Sequence, residues 1–378
     1  MKRTWLNAVF VILIVTGIAT GVWLDPNHQR SSEAWNESPV LAQPIFAAAA
    51  EPHFVGREVC RECHAENHQL HSQHGHATTF RRADDPEVVS KFVGKSFDAG
   101  EPYGTYTYHA DDQGLFVRLS EKYGDQSFRL QYALGHHALT LMTLIPDPAQ
   151  GTVGLEHRVS WFGTIGELDK TPGQRNDPPQ TMGEMFGNKH QGFVLEKCID
   201  CHVTTGEIVD QQIVDLVPNV NCEKCHGPAS EHVKQARQMP DPPPFSVGRV
   251  DWDVESEIQL CGDCHRLPKD VSREQLREYP TSLARFQPVG MLRSECYLQS
   301  DGELKCTTCH NPHQSIEATT TTDHEQNCVK CHLPDSASHV ACPVSPQTGC
   351  IDCHMPALKI EGLHTPFHDH WIRVREPQ

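Results

Sequence analysis

The feature that most constrains this chain is one short spacing, C-x-x-C-H, repeated seven times: Cys60-Cys63-His64, Cys198-Cys201-His202, Cys222-Cys225-His226, Cys261-Cys264-His265, Cys306-Cys309-His310, Cys328-Cys331-His332 and Cys350-Cys353-His354. Two thiols at this spacing can add to the two vinyl groups of a haem while the next side chain reaches the iron. Paired C-x-x-C elements also hold zinc, and a single one can serve as a redox dithiol. Neither use calls for a histidine after the second cysteine every time. The pattern therefore predicts seven covalently attached c-type haems, with these fourteen of the 16 cysteines as attachment points and the seven histidines as proximal iron ligands.

Composition matters here in two ways. Only 38% of the 378 residues are hydrophobic, and apolar porphyrin plates would supply core that side chains do not. A formal charge of -17 argues against nucleic acid as a partner and favours redox partner proteins with basic or apolar surfaces. Near the start, Trp5 to Leu24 is uncharged over about the length that spans a bilayer, and Lys2 and Arg3 precede it. It reads as an N-terminal transmembrane helix over residues 1–24 that faces the rest of the chain to the periplasm; the alternative is a signal segment cut near Ala47 to Ala50, leaving a soluble periplasmic protein. Export suits thiol attachment to haem and leads to the expectation of a disulfide between the two remaining cysteines, Cys296 and Cys342, with a free thiol or a sulfur ligand to iron as the alternative.

The expected fold class is mainly α with long loops, organised by packed haems and interrupted by an antiparallel β-rich insertion around 103–166. Residues 25–52, with four prolines and an alanine run, read as a linker. Four motifs fall in 53–270 and three in a C-terminal region, 271–378. The insertion is read from period-2 alternation: Tyr106 and Tyr108; Leu115, Val117 and Leu119; Phe128 to Leu134; Leu139 to Thr143. Gly135-His136-His137 lies between two of these runs and reads as a polar hairpin turn, with haem ligation as the alternative. Pro172 to Met182 reads as a loop, Pro240 to Pro244 as a stiff linker, and Ser272 to Tyr279 as a solvated helix. Motif spacing is irregular, which excludes a solenoid, and its short intervals imply haems in contact.

The second face of each iron decides what it does: a second strong ligand leaves an electron carrier, whereas an open position admits substrate. With 25 histidines and seven used in the motifs, eighteen remain, enough for every iron to take two. Met182, Met185 and Met291 are competing donors. His232 follows His226 by six residues across Gly227-Pro228, and reaching the far face of the same haem would need nearly full extension. It is expected on a neighbouring haem, and so are His313 and His324 by the same logic. His190 stands ahead of Cys198, from where it reaches a neighbouring iron or remains an ordinary polar residue. After the first motif come His68, His71, His74 and His76.

The combination of Cys60-Arg-Glu-Cys-His with the later His76-Ala-Thr-Thr-Phe, Cys198-Ile-Asp-Cys-His-Val-Thr-Thr-Gly, Cys222-Glu-Lys-Cys-His-Gly-Pro-Ala-Ser-Glu-His, Cys306-Thr-Thr-Cys-His-Asn-Pro-His and Cys350-Ile-Asp-Cys-His-Met-Pro resembles the cytochrome c-554-type multihaem family. The likeness extends over most of the chain after about Pro52. It implies a periplasmic electron-transfer protein, related in haem arrangement to hydroxylamine oxidoreductase and pentahaem nitrite reductase. It also implies His76, His232, His313 and the late His370 as axial ligands, with His68, His71 and His74 at the surface or supporting them. Seven sites instead of four set this chain apart. Nitrite reductases of that group commonly carry a C-x-x-C-K motif, and none occurs here. The expectation is a heptahaem carrier with mostly bis-histidine irons. One alternative is a catalytic oxidoreductase with one open haem, acting on a small nitrogen or sulfur compound. Another is an electron-wire subunit of a membrane complex.

Overall fold

Most motif cysteines sit on short helices, with Cys63 and Cys201 just past the helix ends, and the reason is geometric: residues i and i+3 share one helix face, so the two thiols of a motif project together. A computed structural model describes residues 51–119, 126–238, 252–333 and 341–375. The stretch Trp5 to Leu24, most of the linker and Pro240 to Pro244 lie outside them. Among the described residues no helix is long and apolar enough to cross a membrane.

Pro52–Gln378 forms one unit. Its motifs ride on short helices: Arg57–Arg61, Gly192–Asp200, Cys222–His226, Val254–His265, Cys306–Cys309, Thr321–Cys331 and Cys350–His354. Two of these helices carry side-chain caps on free N–H groups of the first turn, Asp253 on Ser256 and Thr320 on Asp323. Arg273–Arg277 is a separate charged helix, opened by a Ser272–Gln275 capping box.

Ten strands fill the interval between the first two motifs: β1 Phe80–Arg82, β2 Ser96–Asp98, β3 Thr105–Asp111, β4 Gly114–Leu119, β5 Ser127–Leu130, β6 Tyr132–Leu134, β7 Ala138–Asp147, β8 Gly151–Phe162, β9 Glu167–Lys170 and β10 Gly187–His190. They run beyond the 103–166 span at both ends and form two antiparallel sheets, β2-β3-β4-β5 and β1-β6-β7-β8-β10, with β9 added on β8. The run from Phe128 to Leu134 is split between the sheets at Gln131. Strand β7 also departs from simple alternation. A bulge between Thr140 and Met142 turns its later residues, so Leu139 and Leu141 enter one core cluster while Met142 and Leu144 enter another.

The larger cluster holds Tyr106, Tyr108, Leu115, Val117, Leu130 and Phe186. Burying such side chains contributes about 1.5–3 kcal/mol each before conformational entropy is counted, so the sheets have a core of side chains. The second cluster joins β1, β6 and β7 to Leu195 and Ile199 of the helix carrying Cys198, which fixes the second motif against the sheet.

Candidate functional site

Contacts between motif helices place the seven motifs in a spatial order unlike their sequence order. Buried Glu223, between the two thiols of the third motif, accepts hydrogen bonds from the N–H groups of Val55 and Gly56 at 2.8 Å, at the start of the first-motif helix. Lys224 reaches Asp200 of the second motif at 2.7 Å. Lys197 donates to the carbonyl of Asp263, inside the fourth, at 3.1 Å. Glu257, ahead of the fourth motif, accepts from the N–H and hydroxyl of Thr307 in the fifth at 2.7 and 2.8 Å. Asn327 donates to the Cys309 carbonyl at 3.4 Å, and Glu325 accepts from the Ile351 N–H at 3.3 Å. The contacts run 1–3–2–4–5–6–7. Thiols of different motifs also meet, Cys60 with Cys222, Cys201 with Cys264 and Cys261 with Cys306.

Three of these links share one device. Glu223, Glu257 and Glu325 are all buried, and each carboxylate accepts from backbone N–H groups at or beside the start of another motif's helix, where the helix dipole favours negative charge. Sequence reasoning missed all three, because a glutamate beside a thiol pair looks like a surface charge.

The histidines fall into pairs. Each ring nitrogen of an axial pair stands about 2 Å from its metal and each ring centre roughly 1 Å farther out, so two imidazoles sharing one iron have centres about 6 Å apart. His64 and His232 have centres 6.3 Å apart. The spacing is 6.2 Å for His76 with His265, His226 with His313, and His310 with His370. Every pair takes one residue from a motif and one from outside it. The segment after motif 3 thus meets motif 1, and that after motif 5 meets motif 3. The segment after motif 1 meets motif 4, and that after motif 7 meets motif 5.

Protonation agrees with ligation, which requires a neutral imidazole. Burial pushes His76 down to about 3 and His370 down to about 4, and it also lowers His202, His226, His265, His310 and His313. Backbone or side-chain oxygens lie beside Nδ1 of four rings: Thr79 O at 3.0 Å from His202, Gln287 Oε1 at 3.0 Å from His265, Arg373 O at 3.0 Å from His354 and His368 O at 2.9 Å from His370. Each oxygen accepts a hydrogen bond from Nδ1–H and so leaves the Nε2 lone pair free for a metal. Buried His232 Nδ1 and His324 Nε2 have no hydrogen-bond partner. With paired thiols on the same helical turns, these residues fit haem.

The remaining candidates are placed differently. His324 lies 5.4 Å from His310, which already faces His370. His190 ends β10 and meets Glu156 at 3.4 Å; among the described residues no motif imidazole faces it. His74 accepts from the His76 N–H at 3.0 Å and so positions that residue. His71, expected at the surface or in support, is buried with Nδ1 unpartnered. Met185 belongs to the sheet core and Met182 lies against it. Cys296 and Cys342 are not joined: Cys296 lies near Cys309 and Cys331, while Cys342 accepts from the Ser345 N–H.

Residues 175–227, which include the second and third motifs, match the family described as cytochrome c554 and c-prime. The match supports a c-type cytochrome. It supports covalently bound haem and electron transfer as the chemistry of this cytochrome. No curated protein matches the chain. Among solved structures, the crystal structure of the outer cell wall cytochrome OcwA is similar to it at 16% identity and a TM-score of 0.47, covering 85% of this chain and 79% of that one.

Proposed function

We propose that this cytochrome carries seven covalently attached haems and relays electrons through them, facing the periplasm from an N-terminal membrane anchor, between partner proteins that dock on its surface. The observation that carries the reading is the set of four imidazole pairs at 6.2 to 6.3 Å. Haem iron supplies one-electron chemistry between its two oxidation states. The chain would hold four of the irons from both sides, keeps His76, His226, His265, His310, His313 and His370 neutral by burial, and ties neighbouring attachment helices together through Glu223, Glu257 and Glu325. On this reading His64 and His232, His265 and His76, His226 and His313, and His310 and His370 are the axial ligands of motifs 1, 4, 3 and 5. Haems attached at the seven motifs would follow one another in the contact order 1–3–2–4–5–6–7 and would offer electrons a path in either direction. Electron paramagnetic resonance of the oxidised protein tests this, with low-spin signals from at least these four irons expected, unchanged by cyanide.

A second reading, catalysis on a small nitrogen or sulfur compound, attaches to the second motif. Its His202 is held through Thr79 and, like His354 of the seventh motif, faces no imidazole at pair spacing among the described residues. High-spin iron that binds cyanide or nitrite would favour this reading. A wire subunit within a membrane complex is the third, and co-purification of fixed partners from membranes distinguishes it.

A further inference from the structure

The turn between β6 and β7 carries a feature that the haem attachments leave unused. Gly135 has φ of +107°, and a Cβ there would meet the Ala138 carbonyl oxygen at 2.1 Å. Only glycine makes this turn, and it brings His136 and His137, neighbours in sequence, to ring centres 4.5 Å apart. Glu317 arrives from Ile316–Ala318, a short 3-10 turn beginning beside Ser315. The three side chains offer ligand atoms all within 4.8 Å of one another. His137 Nε2 and Glu317 Oε1 are 3.5 Å apart, close to the roughly 3.3 Å edge that two ligands at about 2.0 Å make on a tetrahedral zinc.

His136 is prepared for a metal by its neighbours. Thr78 donates its hydroxyl hydrogen to the Gly75 carbonyl at 3.2 Å, so its oxygen, 2.6 Å from His136 Nδ1, accepts the proton on that nitrogen. The other ring nitrogen then carries the lone pair, the arrangement that outer partners impose on metal-binding imidazoles. The ring lies against Gly75, where an added Cβ would come within 3.3 Å of it.

We propose that His136, His137 and Glu317 form a solvent-facing site for one divalent transition-metal ion of the zinc class, separate from the haem attachments. Two imidazoles and a carboxylate are a donor set that zinc takes with water completing its shell. The site rests on the fold alone. If the haem pairing above also holds, the ion ties the β6–β7 turn, which packs on Gly75 and Thr78 either side of His76, to the segment following His313, so that it joins the surroundings of two axial ligands serving different irons.

Equilibrium dialysis of the holoprotein against buffered zinc, with metal counted by mass spectrometry and protein by amino-acid analysis, tests it. One zinc per chain is expected, with affinity at least tenfold weaker in both His137→Ala and Glu317→Gln and unchanged in His109→Ala, a histidine exposed on β3 of the other sheet. Unaltered visible spectra of the variants establish that they are folded, and absorption at the zinc edge should report imidazole nitrogen. Failure to retain zinc, or wild-type affinity in either of the two site variants, would overturn the proposal.

Discussion

The imidazole planes of His226 and His313 lie within 2° of parallel, with centres 6.2 Å apart, although one belongs to the third motif and the other follows the fifth. Replacing His313 by Ala should leave haem attachment intact, since the thiols form the covalent bonds, yet remove one axial ligand. Paramagnetic resonance is expected to lose one low-spin signal and gain a high-spin one at unchanged mass. A spectrum identical to wild type would break this pairing.

Gly290 bears on His370 in a different way. A Cβ there would lie 2.5 Å from the Trp371 nitrogen and 2.7 Å from the His370 carbonyl carbon. Gly290→Ala should push the late segment away and convert the iron held by His310 to high spin, while the irons paired through His232 and His313 stay low spin. The check is the number of high-spin irons: one is expected.

Glu223 is 3% exposed and accepts from the N–H groups of Val55, Gly56 and Ala229. A buried donor left without a partner, here the Ala229 N–H, costs about 1–3 kcal/mol, and the half-buried Val55 and Gly56 N–H groups add less. Glu223→Ala should therefore destabilise the protein by several kcal/mol, and Glu223→Gln by less, because it keeps one oxygen. Thermal melts followed at the haem absorption band would rank the two.

His157, fully buried among Tyr106, Tyr108 and Phe186, governs the acid response of the sheets. Burial pushes it down to about 3; Tyr108 donates its hydroxyl to Nε2 at 2.7 Å and Nδ1 donates to the Phe186 carbonyl at 3.1 Å. Its folded value lies below the ordinary 6.5, so the unfolded chain binds the extra proton. Its contribution is complete above about 6.5 and is lost as pH falls towards 3, with a slope of up to about 1.4 kcal/mol per pH unit. A His157→Gln variant should show a flatter loss across that window in denaturant titrations.

The parts that can be read from sequence are those whose chemistry is local. C-x-x-C-H points to haem because two thiols and an imidazole stand within five residues, and the reach of six residues directs the expectation for His232 to a neighbouring haem rather than its own. Which neighbour is not legible: nothing in the spacing says that His232 faces His64, or that His76 faces His265. The buried glutamates were hidden for a related reason, since their partners are backbone N–H groups far along the chain. Alternation revealed strands in the insertion, but the bulge between Thr140 and Met142 changes which side of β7 is buried without any glycine or proline to mark it.

Intact-mass measurement of the purified protein decides whether seven haems are attached. The account predicts polypeptide mass plus seven haems, stable to denaturation because each is held by two thioethers; a mass carrying fewer haems, or one that falls to bare polypeptide on unfolding, would contradict it.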